Sequence, residues 1–179
     1  MNRKLTSIAL FAGLTLLIIG AYFLSNVITD TFFPDESSES TAVYDFLAED
    51  ADSNPVYLSD FLDRPAIVYF WTSWCSWCTR GMDELERFYE ATDRDIQILA
   101  VNLSHLGNRQ DEVERGRAFM EAQDFSFASL YDTQGEAQAT YGISGVPMTL
   151  FIDRDGYIIH SQLGFLDLDG LQHFAEMLS

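Results

Sequence analysis

The sequence predicts an α/β fold, a mixed central sheet flanked by helices, preceded by one N-terminal transmembrane helix. Three observations predict it. Ala66-Ile67-Val68-Tyr69-Phe70-Trp71 is apolar or aromatic throughout, without polar alternation, as a strand covered on both faces must be. Behind it, Met82, Leu85, Phe88 and Tyr89 recur at helical spacing over residues 79–91. The later pattern then runs strand, helix, hairpin, helix, which one sheet accommodates as a right-handed parallel unit followed by an antiparallel pair.

The transmembrane helix is read from residues 5–28, a run of about 24 residues without charge, close to the ~20 that span a bilayer. Arg3 and Lys4 hold the start of the chain in the cytoplasm, so everything after the run lies outside. No small-residue cleavage site follows Leu24, which favours an uncleaved signal anchor over a removed signal peptide. No cysteine follows the run either, which excludes lipid attachment there. Residues 1–28 are therefore expected to be a cytoplasmic tip and signal anchor in the cell membrane, single-pass. Residues 29–41, with Pro34 and the run Asp35-Glu36-Ser37-Ser38-Glu39-Ser40, read as a flexible acidic linker. Residues 42–179 read as one domain, with no internal repeat.

Composition supports a packed core: 47% of the 179 residues are hydrophobic and 14% aromatic. The charge is lopsided, 28 acidic against 10 basic residues, net −18, and Lys4 is the only lysine. That argues against nucleic-acid binding, which needs a basic footprint, and against docking on anionic lipid. The acidic surface either selects basic partners or suits a high-salt exterior, or it is a solvated surface whose composition simply follows the host's environment.

Within the domain, residues 43–47 and 56–58 are short strand candidates, and Ser59-Asp60-Phe61-Leu62 a single helical turn. After Arg64-Pro65 comes the buried strand. Residues 96–103 form a second strand, 108–123 a mostly exposed helix and 134–141 a shorter helix ending at Gly142. Residues 148–152 and 157–163 flank Asp153-Arg154-Asp155-Gly156, a hairpin signal. Leu168, Leu171, Phe174, Ala175 and Leu178 space a last amphipathic helix.

The chemistry lies between the buried strand and the first helix, in Trp74-Cys75-Ser76-Trp77-Cys78. These are the chain's two cysteines. A helix start carries unpaired N–H groups and partial positive charge, which stabilise a thiolate over a thiol. Residues three apart in a first turn share a face, so Cys75 and Cys78 can join in an unstrained disulfide. The pair points to reversible dithiol–disulfide chemistry.

The segment from Phe70 to Cys78, followed by Gly145-Val146-Pro147-Met148-Thr149, resembles the thioredoxin fold, and more closely the extracytoplasmic TlpA/ResA-like thiol–disulfide oxidoreductases. Tyr44-Asp45-Phe46, Leu58-Ser59-Asp60-Phe61 and Asp153-Arg154-Asp155-Gly156 match the same family, so the resemblance covers roughly residues 42–179. It implies a thioredoxin-like fold and a cis Val146-Pro147 bond lying against the cysteine pair. Val146 would then offer backbone hydrogen bonds to an extended partner segment. Two positions depart from the pattern. A glutamate common three residues after the second cysteine is Gly81 here, and the acidic or asparagine position six before the first is Tyr69. Glu84 reads as a surface charge, and Asp83 stands where a proline often follows. No carboxylate is offered to Cys78, which leaves water as its proton acceptor.

The expected mechanism has Cys75 as the exposed nucleophile and Cys78, one turn deeper, as the resolving thiol. Trp71 is expected in the core, and Trp74 and Trp77 on an apolar rim for substrate beside Val146 and Pro147. Ser76 and Trp77 bring no charge between the cysteines and no histidine sits there, which leans the pair toward reduction. By resemblance the substrates are disulfide-bonded extracytoplasmic proteins, apocytochrome c haem-attachment sites among them, and the electron donor is a membrane dithiol carrier of CcdA/DsbD type. A disulfide-forming oxidase is the competing reading. A static disulfide or zinc module is the third, and it needs further ligands from His105, His160 and His173. His105 reads as a loop residue, and His160 and His173 as exposed. No cofactor and no metal are expected.

Overall fold

The computed structural model describes residues 16, 18–22, 41–106 and 112–178. The chain divides into two units, Met1–Ser37 and Ser38–Ser179. In the first, Leu16 and residues 18–22 are helical, with Leu16, Ile18, Ile19 and Tyr22 exposed. Among the described residues no helix is long and apolar enough to cross a membrane; the expected anchor and linker fall largely outside them.

In the second unit the elements are β1 (Thr41–Ala42), β2 (Leu47–Glu49), β3 (Pro55–Tyr57), a 3₁₀ turn (Leu58–Phe61), β4 (Ala66–Trp71), α1 (Ser76–Ala91), β5 (Gln97–Leu103), α2 (Glu112–Gln123), β6 (Ala128–Asp132), α3 (Glu136–Thr140), β7 (Met148–Ile152), β8 (Tyr157–Leu163) and α4 (Leu168–Ala175). They build one mixed sheet in the order β1-β8-β7-β4-β5-β6-β2-β3. β4, β5 and β6 run parallel, while β7 returns antiparallel against β4.

β4 is central because none of its residues can face water. All of them are buried, and the strand's twofold period sorts them into two layers. Ile67, Tyr69 and Trp71 pack with Met82, Leu85 and Phe88 of α1 and Leu171 and Ala175 of α4. Ala66, Val68 and Phe70 pack on the opposite face with Phe46, Leu58, Leu130, Ala137 and Ile143. Each large side chain so buried contributes roughly 1.5–3 kcal/mol. β5 and β7 pair directly with this strand, and the cysteines follow its C-terminal end.

Several elements differ from the sequence reading. Of the strand expected at residues 43–47 only Leu47 is in a strand, β2, and residues 43–46 connect β1 to it. Asp45 interrupts the run: its carboxylate accepts the N–H of Phe46 at 3.1 Å and of Ser59 at 3.0 Å, drawing the backbone out of the ladder while Phe46 enters the core. The parallel strand β6 was not anticipated, because Ser129 and Asp132 break its apolar run. The helix expected over 134–141 spans only Glu136–Thr140. Gly135, at φ 75°, turns the chain into it, and Asp132 accepts the Gln138 N–H at 3.0 Å. The exposed helix expected over 108–123 buries Glu112, Gly116 and Met120, a stripe at fourfold spacing. The hairpin forms as expected: Asp153 accepts the N–H groups of Asp155 and Tyr157, and Gly156 takes a φ of 78°.

Candidate active site

Cys75 is the N-cap of α1. Its backbone is extended, at φ −90° and ψ 102°, and its sulfur accepts the Cys78 N–H at 3.1 Å. A sulfur at this cap satisfies one of the helix's unpaired donors and lies in the positive field of the helix end. The first turn of α1 holds no acidic residue to compete for that field, in a chain with 28 acidic side chains. The local geometry therefore favours negative charge on Cys75.

Cys75 and Cys78 form a disulfide, with Cα atoms 5.2 Å apart. The two sulfurs differ in access. Cys78 is sealed in the core layer, whereas Cys75 retains 8% exposure. Cys75 was expected to be exposed; in the disulfide form it is instead nearly buried, with Val146 close by, the Val146 carbonyl oxygen lying 3.9 Å from Cys75 Sγ. Val146-Pro147 is cis, as the resemblance implied, and Pro147 is buried. The Pro147 carbonyl accepts the Gly164 N–H at 2.8 Å, which ties this loop to the end of β8.

The rim is aromatic. Trp74 is 40% exposed and Trp77 54%, while Trp71 is buried as core packing, in line with the sequence reading. Sequence reasoning missed two members of the rim. The Phe165 ring lies 5.7 Å from Trp77, and the Arg80 guanidinium sits 4.9 Å above Trp77 and 5.7 Å from Phe165. Arg80 follows the second cysteine by two residues, so its helix-face position was legible; Phe165 comes from the distant segment after β8 and was not.

Beneath the rim, Glu112 is fully buried. Its carboxylate accepts the backbone N–H of Ser73, the Ser73 hydroxyl at 3.0 Å and the Asn102 amide at 3.3 Å. It fastens the loop before Cys75 to the start of α2. In sequence it is one acid in a charged run, with nothing to mark it.

Tyr69 and Gly81, separate departures in the sequence, meet in space. The Tyr69 hydroxyl donates to the Cys78 carbonyl at 3.0 Å, and a Cβ on Gly81 would intrude on that hydroxyl and stand 3.0 Å from Cζ. Burial pushes the Tyr69 hydroxyl far above the ordinary tyrosine value, so it stays protonated. The expectation that water serves Cys78 is corrected here, because the side chain is fully buried and Tyr69 fills the adjoining space.

Glu84 is not a free surface charge either. It pairs with Arg87 at 2.8 Å and accepts the Leu168 N–H at 3.2 Å, linking α1 to α4. His105 lies 2.9 Å from the Thr133 carbonyl, and His173 is exposed. His160, expected to be exposed, is half-buried, its ring 3.8 Å from Phe174 and 5.9 Å from Phe151.

The AhpC/TSA family model matches residues 40–161. Sporulation thiol-disulfide oxidoreductase A of Bacillus subtilis is 29% identical over 114 residues, 63% of this chain and 67% of that protein. Thiol-disulfide oxidoreductase ResA of Oceanobacillus iheyensis is 30% identical over 129 residues, 72% of this chain and 64% of the relative. Among solved structures, the exposed lipoprotein thioredoxin Etrx1 of Streptococcus pneumoniae superposes with a TM-score of 0.62 at 26% identity, covering 74% of this chain and 99% of that one. StoA of Bacillus subtilis, at 24% identity, shares the fold with a TM-score of 0.62 over 75% of this chain and 98% of its own. With a cysteine pair at the head of α1 and these relatives beside it, the chain belongs to the AhpC/TSA family, as a thiol–disulfide oxidoreductase on a thioredoxin-like fold.

Proposed function

We propose that this protein is an extracytoplasmic oxidoreductase, tethered by residues 1–28, that reduces disulfides of envelope proteins, oxidised haem-attachment cysteines of apocytochrome c among them. The observation that carries the reading is the asymmetry of the pair: one sulfur at a helix cap beside the Val146 carbonyl, the other sealed one turn deeper. Cys75 thiolate attacks a substrate disulfide, joining one substrate sulfur and releasing the other as a thiolate that takes a proton from solvent. Cys78 thiolate then attacks Cys75 Sγ, closing the enzyme disulfide and releasing the second substrate thiolate. Two electrons pass from enzyme to substrate. A membrane dithiol carrier of CcdA/DsbD type resets the pair. Ser76 and Trp77 add no charge between the cysteines, which supports the reducing direction.

Trapping tests it. Cys78→Ala in the native envelope leaves mixed disulfides on Cys75 that cannot resolve. Oxidised apocytochrome c or other mature envelope proteins among the captured partners would support the proposal. Capture of newly exported, still-reduced proteins alone would overturn it in favour of disulfide formation.

A further inference from the structure

The reading above requires Cys78 to act as a thiolate in a place water does not reach. An unpaired buried thiolate is costly, so a donor must meet it. The core cluster that holds it supplies few, the buried Trp71 Nε1–H among them, which has no partner among the described residues. From β5 come Ile98 and Ala100, from α1 Met82 and Leu85, and from α4 Leu171 and Ala175. β7 brings Phe151 and Thr149, the latter paired opposite Tyr69, with a buried hydroxyl that finds no partner among the described residues. Most charged or titratable groups bordering this layer are engaged elsewhere: Glu112 with Ser73 and Asn102, Glu84 with Arg87 and Leu168, and Arg94 with the Ala175 carbonyl, while His160 stacks on Phe174 with its Nε2 unpartnered among the described residues. Tyr69 is different, because its hydroxyl already touches Cys78.

We propose that Tyr69 is the positioning residue of the resolving step: its hydroxyl, held on the Cys78 carbonyl in the disulfide form, turns to the Cys78 sulfur on reduction and stabilises the thiolate that attacks the mixed disulfide. The carbonyl and the sulfur belong to one residue, so the hydroxyl changes partner by rotating its proton and adjusting locally. Since Tyr69 stays protonated, it donates a hydrogen bond without accepting the proton, which leaves on the departing substrate thiolate. Gly81 is part of the same device. Any side chain at position 81 would drive the hydroxyl away from Cys78. The two departures seen in the sequence are one adaptation.

This inference rests on the pair cycling, so the test reads both, using glutathione disulfide as the probe and the wild-type chain as reference. The rates of the first attack and of resolution are followed against pH for wild type, Tyr69→Phe, Gly81→Ala and the double variant. Tyr69→Phe should leave the first attack by Cys75 within twofold of wild type. It should slow resolution about tenfold at neutral pH and move the pH profile of that step up by about one pH unit. Gly81→Ala should shift the profile likewise, and the double variant no further. An unmoved profile in Tyr69→Phe, with only its melting temperature lowered, would show a packing role and overturn the inference while the pair still cycles. A wild-type pair that never reacts with the probe would overturn this inference and the reductase reading together.

Discussion

Cys75 shows how much chemistry a single position can set. As N-cap it accepts a helix N–H on its sulfur, so the same contact that starts α1 also favours the reactive thiolate. Cys75→Ser should keep a capping oxygen and the fold while abolishing exchange with any disulfide, as read by reaction with a chromogenic disulfide. Glu112 works from behind, holding Ser73 and Asn102. Glu112→Ala strands their buried donors and should cost about 1–3 kcal/mol in denaturant unfolding. The cysteines were legible in the sequence because their spacing and their place after an apolar strand carry the chemistry. Glu112 was not, because its role depends on β5 and α2 being neighbours, and a local charged run cannot announce that. Tyr69 and Gly81 were legible only as separate departures; their contact spans a strand and a helix.

At the scale of elements, the strand β4 and the helix α1 follow directly from periodicity: a fully apolar strand and an amphipathic helix have few other ways to be buried. β6 was hidden by its serine and aspartate, which the sheet tolerates because Ser129 finds the Tyr131 hydroxyl at 3.1 Å and Asp132 binds the start of α3. Asp45 likewise broke a strand that looked continuous. The segment after β8 meets the head of α1 through Phe165, Trp77 and Arg80. If that platform holds the protein substrate, Trp77→Ala should raise KM for a protein disulfide by about tenfold with little change in kcat. Its rate with a small disulfide should stay near wild type. Between β8 and α4, His160 is stacked on Phe174, and burial lowers its pKa. The unfolded chain then binds the proton more readily than the folded one. The stability this gives is present above about pH 6.5, the ordinary histidine value, and is lost as pH falls below it. Melting temperature should therefore drop over that range more steeply in wild type than in His160→Gln.

The whole chain carries 28 acidic against 10 basic residues, so acids outnumber the cations that could pair with them. Like charges on a folded chain repel, and salt screens them. The melting temperature should rise from low to high NaCl; a flat or falling curve would show that the acidic surface is already neutralised within the fold. The central claim is that Cys75–Cys78 is a working couple in which Cys75, at the helix cap, is the more reachable sulfur and Cys78 is sealed. Redox titration of the protein in glutathione buffers, with thiols alkylated and mapped by mass, tests it most directly. A single reversible two-electron transition, with Cys75 alkylated well before Cys78, is the predicted result; a bond that stays oxidised across the whole range, or Cys78 reacting first, would contradict it.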